Sequence, residues 1–194
     1  MDFSNQFTKI ETDDSLMETV SHGDKAYPFS YYYENLALYD FHCVDWHWHN
    51  EFEFVFVESG EVSCDIGSTH FMLHPGQAIM TNSKVLHRFQ SESDAITPNF
   101  LLNPSFISPA ESLIYEKYVN PVLSSSLEYV IFQKDIAWQS VALDIIKNII
   151  KLQDASDNRE ISVSINVQQL WLLLLENLSF ESFEDQTTIN SRAR

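Results

Sequence analysis

Hydrophobic and polar positions follow a strand-like pattern in the first half of the chain and a helical period in the second. Between residues 28 and 107, short runs of β-formers recur. Phe29, Tyr31, Tyr32 and Tyr33 open the series, Leu36-Ala37-Leu38-Tyr39 follows, and Phe52-Glu53-Phe54-Val55-Phe56-Val57 is the richest. Turn signals separate the runs at Glu58-Ser59-Gly60, Ile66-Gly67-Ser68, His74-Pro75-Gly76 and Thr81-Asn82-Ser83. Short strands at this spacing predict an antiparallel sandwich or barrel, not a βαβ fold. Residues 1–27 are polar and acidic without sustained period, and read as a partly mobile N-terminal arm.

The pattern changes at Ser108. Ser108-Pro109-Ala110-Glu111 has the form of a capping box with proline at the first helical position, predicting a short helix that stops before Asn120-Pro121. A longer helix is predicted over about Trp138 to Leu152. Trp138, Val141, Ala142, Ile145 and Ile149 form its apolar face, and Ile146 and Ile150 widen it. After a polar link at 154–160, Ile161, Val163, Ile165 and Val167 alternate as in a strand, while Val167, Leu170, Trp171, Leu174 and Leu178 share a helical face. The reading is a helix over about Ser164 to Leu178. Leu172 and Leu175 fall on another side with no evident internal partner, which makes them candidates for a homodimer interface. The expected organisation is an arm over 1–27, a β-barrel over 28–107, a helical dimerisation region over 108–180 and a polar linker over 181–194.

Charge narrows the partners. The 194 residues carry 28 acidic and 11 basic side chains, a formal net charge of −17. Such a surface repels phosphate backbones, so no direct nucleic-acid contact by this chain is expected. Two cysteines, Cys43 and Cys64, are too few for a disulfide framework and read as reduced, half-buried thiols. There is no signal-peptide pattern, and no apolar run approaches the ~20 residues of a membrane span, so a cytoplasmic protein is expected.

The candidate chemistry lies in His47-Trp48-His49, Glu53 and Gly60. Two histidines two apart on an extended segment point to one side, and imidazoles converging with a carboxylate suit a divalent transition metal. Three residues separate His49 from Glu53 and six separate Glu53 from Gly60, which is the spacing of the first cupin motif. Gly76, a strand through Thr81, the turn Asn82-Ser83-Lys84 and His87 resemble the second motif, with His87 as the third histidine. Asn82 and Lys84 stand where proline and glycine are usual, and Ser91 replaces the terminal asparagine. For His47, His49, Glu53 and His87 a metal site, a ligand pocket and an inherited scaffold all stay open. Trp46 and Trp48 are expected to pack under the helices, and Phe52, Phe54 and Phe56 outside the barrel. His22, His42, His70 and His74 read as surface or loop residues. Lys84 and Arg88 read as solvated rim charges, with anion anchoring as the alternative.

Taken together, His47-Trp48-His49-Asn50-Glu51-Phe52-Glu53, Glu58-Ser59-Gly60, Leu73-His74-Pro75-Gly76-Gln77 and Val85-Leu86-His87 resemble the sensor domain of AraC/XylS-type transcription regulators. Tyr115 to Leu123, and Trp138 before an Ile-rich helix, resemble the same family's helical region. The resemblance covers about residues 28–180. It implies a mainly β fold with α, a cupin or jelly-roll-like antiparallel β-barrel followed by helices. It further implies a small-molecule effector, a sugar or organic acid, in the barrel, homodimerisation through the helices, and DNA binding by a separate C-terminal helix-turn-helix domain. No such domain follows Arg194, so the expectation is a truncated regulator or a stand-alone sensor. The leading function is an effector-sensing module and not an enzyme, with residues 1–27 as the switch element. The alternative is a metal-dependent cupin enzyme, a dioxygenase or isomerase, holding iron or manganese at His47, His49, Glu53 and His87. A purely structural dimerisation module is the third reading.

Overall fold

The computed structural model describes residues 9–155 and 157–179. The expected linker over 181–194 and the first eight residues of the arm lie outside the described residues. Strands β1 (Phe29–Asn35), β2 (Cys43–His47), β3 (Phe52–Phe56), β4 (Val62–Ile66), β5 (Thr69–Leu73), β6 (Ala78–Thr81), β7 (His87–Gln90) and β8 (Ile96–Leu102) are followed by a late strand, β9 (Tyr129–Phe132). They form two sheets, ordered β1-β8-β3-β6-β9 and β2-β7-β4-β5, with all pairings antiparallel. This is the cupin-type barrel. Among the described residues no helix is long and apolar enough to cross a membrane.

The alternation along β3 sets the layers. Phe52 and Phe54 point away from the barrel and join Phe29, Phe100, Leu102, Met80 and Phe132 in a core covered by helices. Phe54 stacks on Phe100 at 4.9 Å between centroids, and Phe52 meets Trp171 at 4.8 Å. Each wholly buried phenylalanine stabilises the fold by about 1.5–3 kcal/mol. Val55 and Val57 point inward and meet Val62, Cys64, Ile66, Leu73 and Phe89 of the other sheet. Cys64 is wholly buried, not half-buried, and both cysteines are free.

Several local expectations are corrected. Leu36 to Leu38 and Asp40 to His42 are 3₁₀ turns rather than strand. β9 lies within the region read as helical and completes the barrel sheet beside β6. The capping box at Ser108 does not form, because Asn103 caps a short helix α1 (Pro104–Ile107) and Glu111 takes a left-handed conformation, φ 68°. Ser112 is the cap instead: its hydroxyl accepts the Tyr115 N–H and meets the Ser108 hydroxyl. The helix also runs past Pro121. A π-helical turn over Tyr115–Val119 leads into α2 (Asn120–Leu123), with the proline in its first turn, where its missing N–H costs little.

The two long helices are α3 (Ala137–Leu152) and α4 (Arg159–Asn177). The buried face of α3 is centred on Ala142, Leu143, Ile146 and Ile149, and Val141, assigned to it from sequence, is exposed. The alternating segment 161–167 is helical throughout. Val163 and Val167 are buried with Leu170, Trp171 and Leu174, while Ile161 and Ile165 face outward. Burial on the helix core overrides the β-preference of the branched residues. Trp171 Nε1 donates to the Tyr118 carbonyl and ties α4 to the π-helical turn.

A histidine and glutamate centre at the mouth of a roofed cavity

Four side chains meet inside the barrel. His47 ends β2, His49 follows in the loop, Glu53 is the second residue of β3 and His87 opens β7. One donor atom from each lies within 4.8 Å of the others, and all four residues are buried. A bulge makes this convergence. The β2–β7 register runs Cys43↔Gln90 and Val44↔Phe89, then shifts so that His47 faces His87. The extra residue flips the parity of the strand, so Val44 and His47 both point inward. The two rings sit 4.1 Å apart. The variant turn of the second motif holds the first in place: the Lys84 N–H donates to His49 O, and the Ser83 hydroxyl donates to Asn50 O. Asn82, where proline is usual, is buried and donates to Val122 O and Leu127 O, tying the barrel turn to the segment between α2 and β9. Ser91 donates to Glu61 O.

The histidines are held in one tautomer. Nδ1 of His47 lies 2.8 Å from Asp45 O, that of His49 3.2 Å from Glu51 O, and that of His87 2.8 Å from Val85 O. A carbonyl only accepts, so each Nδ1 donates, and a neutral ring presents its Nε2 lone pair to the centre. Burial, then the adjacent His87, pushes His47 well below its ordinary pKa, so this ring is neutral.

His87 Nε2 is 3.0 Å and His49 Nε2 3.7 Å from Glu53 Oε2. With the ring protons committed to carbonyls, these approaches set lone pair against lone pair. His49 Nε2, His87 Nε2 and Glu53 Oε2 are accordingly buried without a hydrogen-bond partner, as is the Thr81 hydroxyl of the residue paired with Glu53. Buried polar atoms without partners are rare and need a cause. A cation among them supplies one. Three imidazole nitrogens and a carboxylate are a donor set that suits a divalent transition metal. Bonds of about 2 Å to one centre hold donors within about 4 Å of each other, so a small contraction of the present arrangement fits the ion.

Beside this centre lies a cavity of about 320 Å³, lined by barrel residues including Tyr32, Glu34, His47, Glu53, Thr97 and Asn99. The arm roofs it. The Glu18 N–H donates to Trp48 O, the Trp48 N–H donates to Leu16 O, and Trp48 Nε1 donates to Ser15 O. Trp48 therefore anchors the arm and does not pack under the helices, and Trp46 lies beneath Arg88. Arg88 also pairs with Asp65 at 2.7 Å, and Lys84 is exposed, so neither faces the cavity as an anion anchor. His22, read as a surface or loop residue, lies in a loop but is buried: it bonds Glu18 and Tyr32 and meets the His49 ring edge-on at 5.7 Å. Glu34 is a further residue that sequence reasoning missed, along with Tyr39 and Asn99. The Tyr39 hydroxyl donates to it at 2.7 Å and Asn99 Nδ2 at 2.8 Å. The available signal was polar residues on the inward parity of strands, Tyr32 and Glu34 on β1 opposite Asn99 and Thr97 on β8. Leu172 is exposed on α4, whereas Leu175 has an internal partner after all, since it packs against the helix core.

Comparison with known proteins agrees on the barrel. Residues 43–99, which include all four residues of the centre, match the family model described as Cupin domain. The uncharacterized HTH-type transcriptional regulator YdeC of Bacillus subtilis (strain 168) is 26% identical over 179 residues, covering 90% of this chain and 60% of the relative. The chain thus spans about three fifths of that relative's length. Among solved structures, a cupin-2 domain containing protein from Shewanella frigidimarina overlaps 39% of this chain and 72% of its own, at 13% identity and TM-score 0.35. Oxalate decarboxylase from Bacillus subtilis overlaps 31% of this chain and 18% of its own, at 21% identity and TM-score 0.29. Overlaps this partial say nothing of chemistry.

Proposed function

We propose that the chain is the effector-sensing, dimerising module of an AraC-type transcription regulator working in the cytoplasm. Its parts in this reading are an arm over 1–27, a barrel over 28–107 joined by β9, and a helical dimerisation region over the rest of 108–180. One observation carries the reading: Glu18, Val20 and His22 of the arm and His47, Glu53 and Asn99 of the barrel line the same cavity. A small molecule there touches both, and binds more tightly where both are in place. By linkage it then stabilises the docked arm. The similarity to a transcriptional regulator supports the same reading. DNA contact belongs to a helix-turn-helix domain and not to this acidic barrel.

His47, His49, Glu53 and His87 form the effector's polar floor, directly or by holding a divalent transition metal. Such an ion, when bound, would supply a Lewis-acid contact to an effector oxygen or nitrogen. The chain's own part is to hold three imidazoles with Nδ1 on backbone carbonyls and Nε2 toward the centre, and to shield the centre from water with the arm.

The test is a native mass spectrum of the purified chain, followed by hydrogen exchange at residues 10–22. A dimer carrying a small organic adduct, with slower exchange in the arm than in stripped protein, is the expected result. A monomer, or an adduct that leaves the arm's exchange unchanged, overturns the reading. A metal-dependent cupin enzyme is the second reading, favoured by the three inward Nε2 atoms beside Glu53. One tightly held iron or manganese per chain, lost in His47→Ala and His49→Ala, together with an unresponsive arm, would decide for it.

A further inference from the structure

The charge inside the cavity deepens this reading, and the inference rests on the cavity being a ligand site. Glu34 lies on β1, enclosed by protein yet retaining accessible surface because it faces the cavity. Its two carboxylate oxygens each accept one hydrogen bond, from Tyr39 and Asn99. Both donors are neutral. No basic side chain of the described residues pairs with Glu34, unlike Glu18, which bonds His22. A carboxylate offers about four lone-pair sites, so acceptor capacity remains toward the cavity. Among the other lining residues are Glu11, Glu18 and Glu53, and the one Lys or Arg is Lys9, an exposed residue of the arm. Burial first, and then the neighbouring Glu53 and Glu18, push the Glu34 carboxyl up to about 7.

The rest of the wall is hydrocarbon. Leu36, Val44, Val55, Phe89 and Leu101 line the same cavity. A second observation points to a ligand. Glu53 Oε2, on another wall of the cavity, is buried without a hydrogen-bond partner. We infer that the cavity selects a small amphipathic amine, its ammonium group held by Glu34 between Tyr39 and Asn99 and its alkyl body against the apolar wall. A carboxylate ligand would add a negative charge to a site that already holds several. An alcohol would make the hydrogen bond but leave the charge uncompensated. The cavity's volume is at the small end of ligand sites, which limits the amine to a compact one.

Three probes of one shape test this: butylammonium, 1-butanol and butanoate, titrated at millimolar concentration and about pH 8, where Glu34 has lost its proton, against the purified full chain with and without added manganese. Binding is read by thermal shift and by ligand-observed NMR. Butylammonium is expected to bind at least about tenfold more tightly than 1-butanol, and butanoate least, with or without metal. Glu34→Gln should bring butylammonium down to the affinity of 1-butanol, while Tyr39→Phe, which keeps the carboxylate, should preserve the order. Butanol or butanoate binding as tightly as the amine overturns the amine selectivity and leaves the sensor reading standing. Failure of all three to bind removes the cavity as a ligand site, and both readings with it. The wild-type ranking stands even where the Gln variant does not fold.

Discussion

The five-stranded sheet has two faces built from alternate residues of the same strands, and they do different work. On the helix-covered face, Phe29, Phe52, Phe54, Phe100, Leu102 and Phe132 make an apolar layer closed by Trp171, Ile146 and Ile149. On the barrel face, Tyr32, Glu34, Glu53, Thr81, Thr97 and Asn99 bring polar groups inward, and the two sheets close on hydrocarbon elsewhere, at Val55, Val62, Ile66 and Leu73. Phe52, Glu53 and Phe54 are consecutive in sequence, yet the outer two are core and the middle one belongs to the polar centre. The period of two lets one strand carry stability and recognition without mixing them. The outer face can be strongly stabilising because phenylalanine and aliphatic side chains fill most of it, and the inner face can tolerate orphaned polar atoms because the outer face holds the sheet.

The largest effect should come from breaking the outer face. Phe54 is wholly buried and stacks on Phe100, with Phe132 at 6.4 Å. Phe54→Ala should cost roughly 3–5 kcal/mol, the range for aromatic truncation in a packed core. Urea unfolding of wild type and variant measures it. A cost below about 1 kcal/mol would show that the helices close over the gap, and the division between the faces would not hold.

The inner face should instead show itself through pH. Glu34 keeps its proton up to about pH 7 in the folded chain, against an ordinary value of 4.5. The folded state therefore binds more protons than the unfolded between those values. The stability so contributed is fully present below about pH 4.5 and is lost as pH rises to about 7. His47, pushed low by burial, acts in the opposite sense, and the stability it contributes is lost as pH falls. Comparing Glu34→Gln with wild type isolates the one group. From about pH 5 to about pH 7.5 the variant should gain on the order of 2 kcal/mol relative to wild type, after discounting for the open cavity. The groups facing Glu34 are Tyr39, Asn99, Glu18 and Glu53, and a difference that does not change with pH would mean that they leave its carboxyl near its ordinary value.

The same contrast explains what could be read from the chain beforehand. The outer-facing phenylalanines and the convergence of His47, His49, Glu53 and His87 were legible because period-two alternation and motif spacing are local signals. The bulge that turns His47 inward was not legible, since regular alternation from Val44 would have pointed Trp46 into the barrel. Nor were Glu34, Tyr39 and Asn99, whose role depends on pairing across 65 residues between β1 and β8. His22 was grouped with the surface or loop histidines on sequence grounds because its burial comes from the arm folding back over the barrel, which no local pattern encodes. β9 was missed because Tyr129-Val130-Ile131-Phe132 is a four-residue run between two helical regions, and its strand state depends on the open edge of β6.

The smallest effect on folding should come from α4, whose outer face presents apolar residues that no other described residue covers. Ile161, Ile165 and Leu172 are each more than half exposed and fall at helical spacing along one side of the helix, with Val141 of α3 similarly exposed. Exposed apolar residues gathered on one helix face are a candidate interaction site, and a second copy of the chain is the proposed occupant. Leu172→Glu should leave the stability of the isolated fold within about 0.5 kcal/mol, because an exposed side chain contributes little to the core. The same substitution at Leu174, buried two residues away, should unfold the helix core. If Leu172→Glu yields a folded monomer where wild type sediments as a dimer, the stripe is the seam. A folded dimer unaffected by Leu172→Glu and by Ile165→Glu would place the seam elsewhere and leave the outer face of α4 without a role.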